Sequence, residues 1–216
     1  MSVQAGFSNA DTGSKPADPY KAKNIDEPSL SEKVEDLSHF ISGVKFAMMT
    51  TRIASSGLLV SRCMGLAAQE SGGIDLLFHT NTESGKTSDL VSDPCINIAF
   101  LNTNTGEWAS ISGHANILTD CDTIKKYYSP ALKAWISDLG DGTHDGGPED
   151  PRIGVIRVEA VTVTYAVSRK SAVGKGVEIV KGVVTGEAPA INKLREISTQ
   201  ELEQCRSSWV NEEIYF

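Results

Sequence analysis

Between Lys45 and Val167 the chain is a succession of short apolar runs separated by turn residues, and that pattern leaves few folds open. "KFAMMTTRIA", "LLVSRCMGLAA", "IDLLFHT", "CINIAFLN", "EWASISGHANIL" and "RIGVIRVEAVTVTYAV" read as strands, bounded by Gly, Asn, Asp and Ser. "SSG" and "ESGG" between the first of them predict consecutive hairpins. A parallel, doubly wound sheet needs a helix after nearly every strand, and these gaps have no room for one. The expected fold class is α+β: a six-stranded antiparallel β-barrel with flanking helices.

The helices are set by spacing and caps. Ser29 and Glu32 have the capping-box interval, and Leu30, Val34, Leu37 and Ile41 recur at helical steps, which predicts a helix over "SLSEKVEDLSHFI". "DCDTIKKYYSPALKAWISDL" predicts a second helix, with Asp120 or Asp122 near its cap. Leu194, Ile197 and Leu202 give "INKLREISTQELEQCRSSW" helical spacing. Residues 1–27 are rich in Ser, Asp, Ala, Pro and Lys with almost nothing to bury, and read as a flexible tail. The expected organisation is that tail, a barrel domain over 28–190, and a C-terminal helix and tail over 191–216.

Charge narrows the partners. With 20 basic and 28 acidic side chains the net charge is −8, so neither a nucleic-acid backbone nor an anionic membrane is an expected partner. "MSVQAGFSNADTGSKPADPY" has no basic n-region and no apolar run, and no stretch approaches the roughly 20 apolar residues of a membrane helix. Cys63, Cys95, Cys121 and Cys205 form no CxxC pair or Cys/His cluster. No metal site is expected from them, and reduced thiols in a cytoplasmic protein are the expectation.

One stretch carries chemistry. In "FHTNTESGKTS", residues 78–88, a buried strand ends at Phe78 to Thr80 and a polar turn leads into "SGKTSDLVSD", with Ser84 at or near a helix N-cap. Unpaired N–H groups at a helix start, with hydroxyls and the Lys86 ammonium beside them, make a phosphate cradle. The GxxxxGK[ST] spacing of a P-loop is missing. Arg62, in "LVSRCMG", lies on the strand that pairs with "IDLLFHT", which brings a second cation toward Thr80, Ser84 and Lys86. The same residues also fit a plain strand-to-helix turn with a solvated lysine and an exposed barrel arginine. Both readings stand at this level.

"FAMMTTR", "LVSRCM", "LLFHTNTESGKTSDL", "DPCINIAFLN", "WASISGHANIL" and "AWISDLGDG…DPRI", in this order, resemble the FMN-binding split barrels related to pyridoxamine 5′-phosphate oxidase. Within them the pattern is similar to the general stress protein 26-like group, which includes the fungal blue-light-inducible BLI-3-type branch. The resemblance implies a split barrel and a homodimer holding FMN at the subunit interface. It further implies that Arg62 and Lys86 grip the FMN phosphate with Ser84 assisting, that Ser61 and Met64 run along the isoalloxazine and ribityl chain, and that Cys63 between them belongs to the cofactor-binding set. His79 and Thr80 fall where the family faces the flavin. Trp108 and Ser110 match the strand that reaches it from the facing subunit, and Trp135 with Gly140 the segment bordering the pocket.

Several positions depart from the oxidase pattern: Gly85 stands for an arginine, Cys63 for a proline, Ala67 for a substrate-contacting basic residue and Ala166 for a tryptophan, and a C-terminal Arg-x-His pair is missing. Gly85 removes one phosphate contact and the other changes remove substrate contacts, which argues against pyridoxamine phosphate oxidation and leaves most of the implied flavin phosphate site. The function expected is an FMN-binding protein, with an FMN-dependent oxidoreductase linked to stress or light as the leading form. A non-catalytic flavin reservoir or sensor, and a barrel using haem or a deazaflavin, are the alternatives. No residue is singled out as catalytic.

Overall fold

A computed structural model describes residues 18–169 and 172–213. Six antiparallel strands form the barrel: β1 (Phe46–Arg52), β2 (Leu59–Glu70), β3 (Asp75–Asn81), β4 (Cys95–Asn102), β5 (Glu107–Leu118) and β6 (Ile153–Ser168). They lie in the order β3-β2-β1-β4-β5-β6, and pairing of β3 with β6 closes the ring. All six correspond to the apolar runs of the sequence. A seventh strand, β7 (Asn192–Ile197), continues the sheet beyond β6.

β6 explains how one strand serves two neighbours on one edge. Its first half pairs with β3, from Ile153 to Val158, and its second half pairs with β7, from Val163 to Ser168. The opposite edge runs along β5 throughout, except where a bulge breaks the register between Ser112 and Gly113. A Cβ at Gly113 would stand 2.2 Å from the Glu159 carbonyl oxygen, so only glycine lets the strands approach there.

Inward-facing Met49, Ile98, Phe100 and Ile111 fill the barrel. α2 (Leu30–Val44) lays Leu37, Phe40 and Ile41 on the same core. The Ser29 hydroxyl caps α2 by accepting the Glu32 N–H at 3.3 Å, as the capping-box spacing predicted. α3 (Gly85–Ser92) follows β3, and α4 (Cys121–Tyr127) and α5 (Lys133–Ile136) follow β5. α6 (Ala172–Thr185) links β6 to β7, and α7 (Thr199–Glu213) closes the chain.

Three expectations are corrected. The single helix predicted over 120–139 is broken: Asp120 caps α4, but Ser129, held extended by the following proline (φ −123°, ψ 132°), ends the run before α5 starts. The helix predicted from Ile191 onward begins only at Thr199, because 192–197 pair with the open half of β6. Leu194 and Ile197 fit a strand as well as a helix, and the free edge decides.

The 1–27 tail divides. Residues 1–17 lie outside the described residues, whereas 18–27 include α1 (Pro19–Asn24), capped by Asp18. Its anchorage is polar, which composition conceals. Asn24 is fully buried, donates to the Tyr20 and Pro189 carbonyls at 2.9 Å, and accepts the Ile191 and Asn192 N–H groups at 3.0 and 2.8 Å.

Arg195 on β7 is likewise fully buried and donates to Asp26 (2.8 Å), Glu32 (2.6 Å) and Asp36 (2.6 Å). It ties α2 and the α1 segment to β7. Arg195→Ala is expected to lower the unfolding free energy by about 3 kcal/mol, the low end for a broken buried pair, since Glu32 and Asp36 can rehydrate. Urea unfolding followed by circular dichroism measures this, and a change within error would show that the network adds nothing.

Candidate functional site

The site forms where β3 leaves the barrel and turns into α3. Asn81 ends β3, and its side-chain oxygen accepts the Glu83 N–H at 2.8 Å while its carbonyl accepts from Ser84 N at 3.2 Å. Ser84, with extended φ −76° and ψ 145°, is the N-cap residue, as the sequence predicted. Its hydroxyl does not cap the helix. It accepts from the Lys86 ammonium at 3.2 Å and bonds the Thr87 hydroxyl at 3.2 Å instead. The first turn of α3 therefore lacks the usual side-chain acceptor, and apart from the adjoining residues and the helix's own backbone nothing stands within 4 Å of where a Cβ on Gly85 would be. An anion can approach the helix start there.

Lys86 folds back over this turn and donates to the Thr80 hydroxyl as well as to Ser84. Thr80 is buried on β3. Among the described residues no carboxylate pairs with Lys86. Burial lowers its pKa, and the nearby Arg62 charge lowers it further. The cation pair expected from sequence is thus brought together. Strand alternation turns Arg62 inward, where Nη1 donates to Thr51 Oγ1 at 2.9 Å and Nη2 to Asp89 Oδ2 at 3.4 Å.

Asp89 escaped the sequence reading. Its spacing three residues after Lys86 on a helix, which sets both on one face, was the available signal.

The other predicted residues divide between faces. Met64 shares Arg62's face and packs on the core, whereas Ser61 and Cys63 point outward. Ser61 bonds the Thr50 hydroxyl at 2.8 Å. Ser110 and Trp108 belong to the same outer face, and Ser110 accepts from Asn97 Nδ2 at 2.8 Å. Register aligns Cys63, Met48, Ala99 and Ser110 in one row. Three strand spacings then separate Cys63 from Ser110, about 14 Å. One chain does not bring them together.

His79 also stands apart. It faces away from Thr80 and lies beneath the end of α4, with Nε2 at 2.8 Å from the Tyr127 carbonyl, a geometry that makes Nε2 the donor. Burial lowers its pKa. Trp135 is 85% exposed on α5. Arg152 fixes the segment after it, donating to the Ile136 and Ser137 carbonyls at 3.2 and 2.7 Å from a buried pair with Asp150. The Arg152 carbonyl accepts the Thr82 N–H at 2.8 Å, so the Trp135 segment and the start of α3 hang from one residue.

The architecture is a closed six-stranded antiparallel barrel whose strand β3 turns into α3 at the rim. The model for the family "pyridoxamine 5′-phosphate oxidase like" matches residues 32–190, and the chain belongs to that family. Protein bli-3 of Neurospora crassa is 64% identical over 204 residues, covering 94% of this chain and 98% of that protein. Among solved structures, a putative general stress protein 26 from Jannaschia is similar with a TM-score of 0.59 and 15% identity, over 79% of this chain and 99% of that one. A pyridoxamine 5′-phosphate oxidase-related, FMN binding protein from Nostoc punctiforme gives 0.51 and 12%, over 66% and 86%.

The Lys86 environment has a measurable cost. In the unfolded chain a lysine holds its proton up to about pH 10.5, above the folded value here. The unfolded state therefore binds that proton more tightly, and the group destabilises the fold at neutral pH. The penalty is relieved as pH rises through the lowered value toward 10.5. Lys86→Met is expected to raise the melting temperature of the ligand-free protein at pH 7, and calorimetry would detect it. A lower melting temperature would show that its two hydroxyl bonds outweigh the burial.

Proposed function

We propose that the protein binds FMN, with the phosphate seated at the start of α3 between Lys86 and Arg62. The observation that carries this reading is the approach of Arg62 to Lys86, which has no carboxylate partner among the described residues, beside a helix N-terminus without a side-chain cap. Ser84, Thr80 and the Thr87 hydroxyl complete a donor set suited to a dianionic phosphomonoester. A neutral ligand would leave the desolvated Lys86 uncompensated.

A homodimer is the second part of the reading. On the outer face of β1 and β4, Phe46, Met48 and Leu101 are 64%, 44% and 57% exposed, an apolar surface that a second copy would cover. Such a pairing would bring Trp108 and Ser110 of one subunit toward the outward-facing Ser61 and Cys63 of the other, uniting residues that one chain holds apart. The isoalloxazine would lie there, and Trp135 would border it.

Bound FMN supplies electron and hydride transfer. An FMN-dependent oxidoreductase is the activity that accords with this arrangement, and the FMN binding protein among the similar structures is consistent with the choice of cofactor. The chain's residues bind and orient, and none in the nest is cast as acid or base. Four unpaired cysteines accord with a cytoplasmic setting.

Fluorescence titration of wild type and Lys86→Ala with FMN and riboflavin tests the phosphate seat. FMN affinity should fall about tenfold or more, the worth of one charge-assisted bond, while riboflavin affinity stays unchanged. Equal weakening of both would remove Lys86 from that role. Trp108→Ala should weaken FMN binding and dimerisation together, read by titration and sedimentation equilibrium. Loss of one alone would contradict a bridging site.

A further inference from the structure

A carboxylate sits inside this nest of donors, and a charge count alone argues against it. The Asp89 side chain is only 12% exposed. Its Oδ1 accepts the Ala54 N–H at 3.0 Å, from the connection between β1 and β2, and its Oδ2 faces Arg62 Nη2 at 3.4 Å. One side chain on α3 thereby holds both the backbone next to β1 and the guanidinium from β2. Thr51 takes the other Nη. A guanidinium has five N–H donors, and three remain for a ligand.

We propose that Asp89 is the positioning residue of the phosphate nest, fixing the separation of Arg62 and Lys86 that one phosphate must span. The proposal rests on the FMN reading given above. Two neighbouring cations repel, and Arg62 rides on a long, flexible stem with 30% of its side chain exposed. Without an anchor, repulsion from Lys86 turns the guanidinium toward solvent. Asp89 opposes that motion, and through Ala54 it keeps α3 in place against the hairpin. The cost is an anion near the bound phosphate. A fixed bidentate donor repays it, because less side-chain freedom is lost on binding.

Asp89→Asn is the discriminating variant. Its amide oxygen still accepts the Ala54 N–H, but its NH2 presents hydrogens to the guanidinium. The ratio of FMN to riboflavin affinity should fall about tenfold, although the nest has become more positive by one charge. Riboflavin affinity should not change, which also reports an intact fold. In an Arg62→Ala background the same substitution should have no further effect on the ratio. A ratio unchanged or raised in Asp89→Asn overturns the proposal, as does an equal fall with and without Arg62. A wild type that binds FMN and riboflavin equally would overturn the nest itself, and is told apart because it needs no variant.

Discussion

Closure of the barrel through β3 and β6 is the constraint on which the rest depends. The pairing from Leu76 with Val158 to Asn81 with Ile153 carries β3 to the rim next to the turn at Arg152. Gly154 pairs with Thr80 one step before that end, and a Cβ there would stand 2.9 Å from Thr82 Cγ2 and 3.4 Å from Thr80 Cγ2. That close approach lets the strand turn directly into α3. The free second half of β6 then receives β7, whose buried Arg195 draws in α2 and the α1 segment.

The electrostatics of the rim are local. A chain with net charge −8 would repel a phosphate at long range, but within a Debye length of about 8 Å the nearest charges dominate. There Arg62 lies beside Lys86 and pairs with the Asp89 carboxylate. Burial that lowers the Lys86 pKa makes the site unfavourable for the charged ammonium, and the phosphate proposed to sit there would relieve it.

What the sequence made legible follows from how each residue acts. The six barrel strands announce themselves because alternating burial writes itself into apolar runs, and Ser29 with Glu32 marks a cap by chemistry that is local. Arg62 and Lys86 were legible because hairpin pairing and the turn placed them together. β7 was hidden because Leu194 and Ile197 fit both periods, and the partner edge lies far away in sequence. α1 was hidden because Asn24 and Asp26 anchor it through polar bonds to β7. Asp89 was not legible, because its direction is fixed by a contact with Ala54, 35 residues earlier in the chain.

The central claim is a phosphate held between two cations, and the most direct measurement is a ³¹P NMR pH titration of FMN in the complex. The free phosphomonoester takes its second proton near pH 6. Seated between Lys86 and Arg62, the phosphate should stay dianionic to clearly lower pH, with a resonance distinct from that of free FMN. A bound flavin whose phosphate titrates as it does in water would contradict the account, because the phosphate would then lie outside the nest.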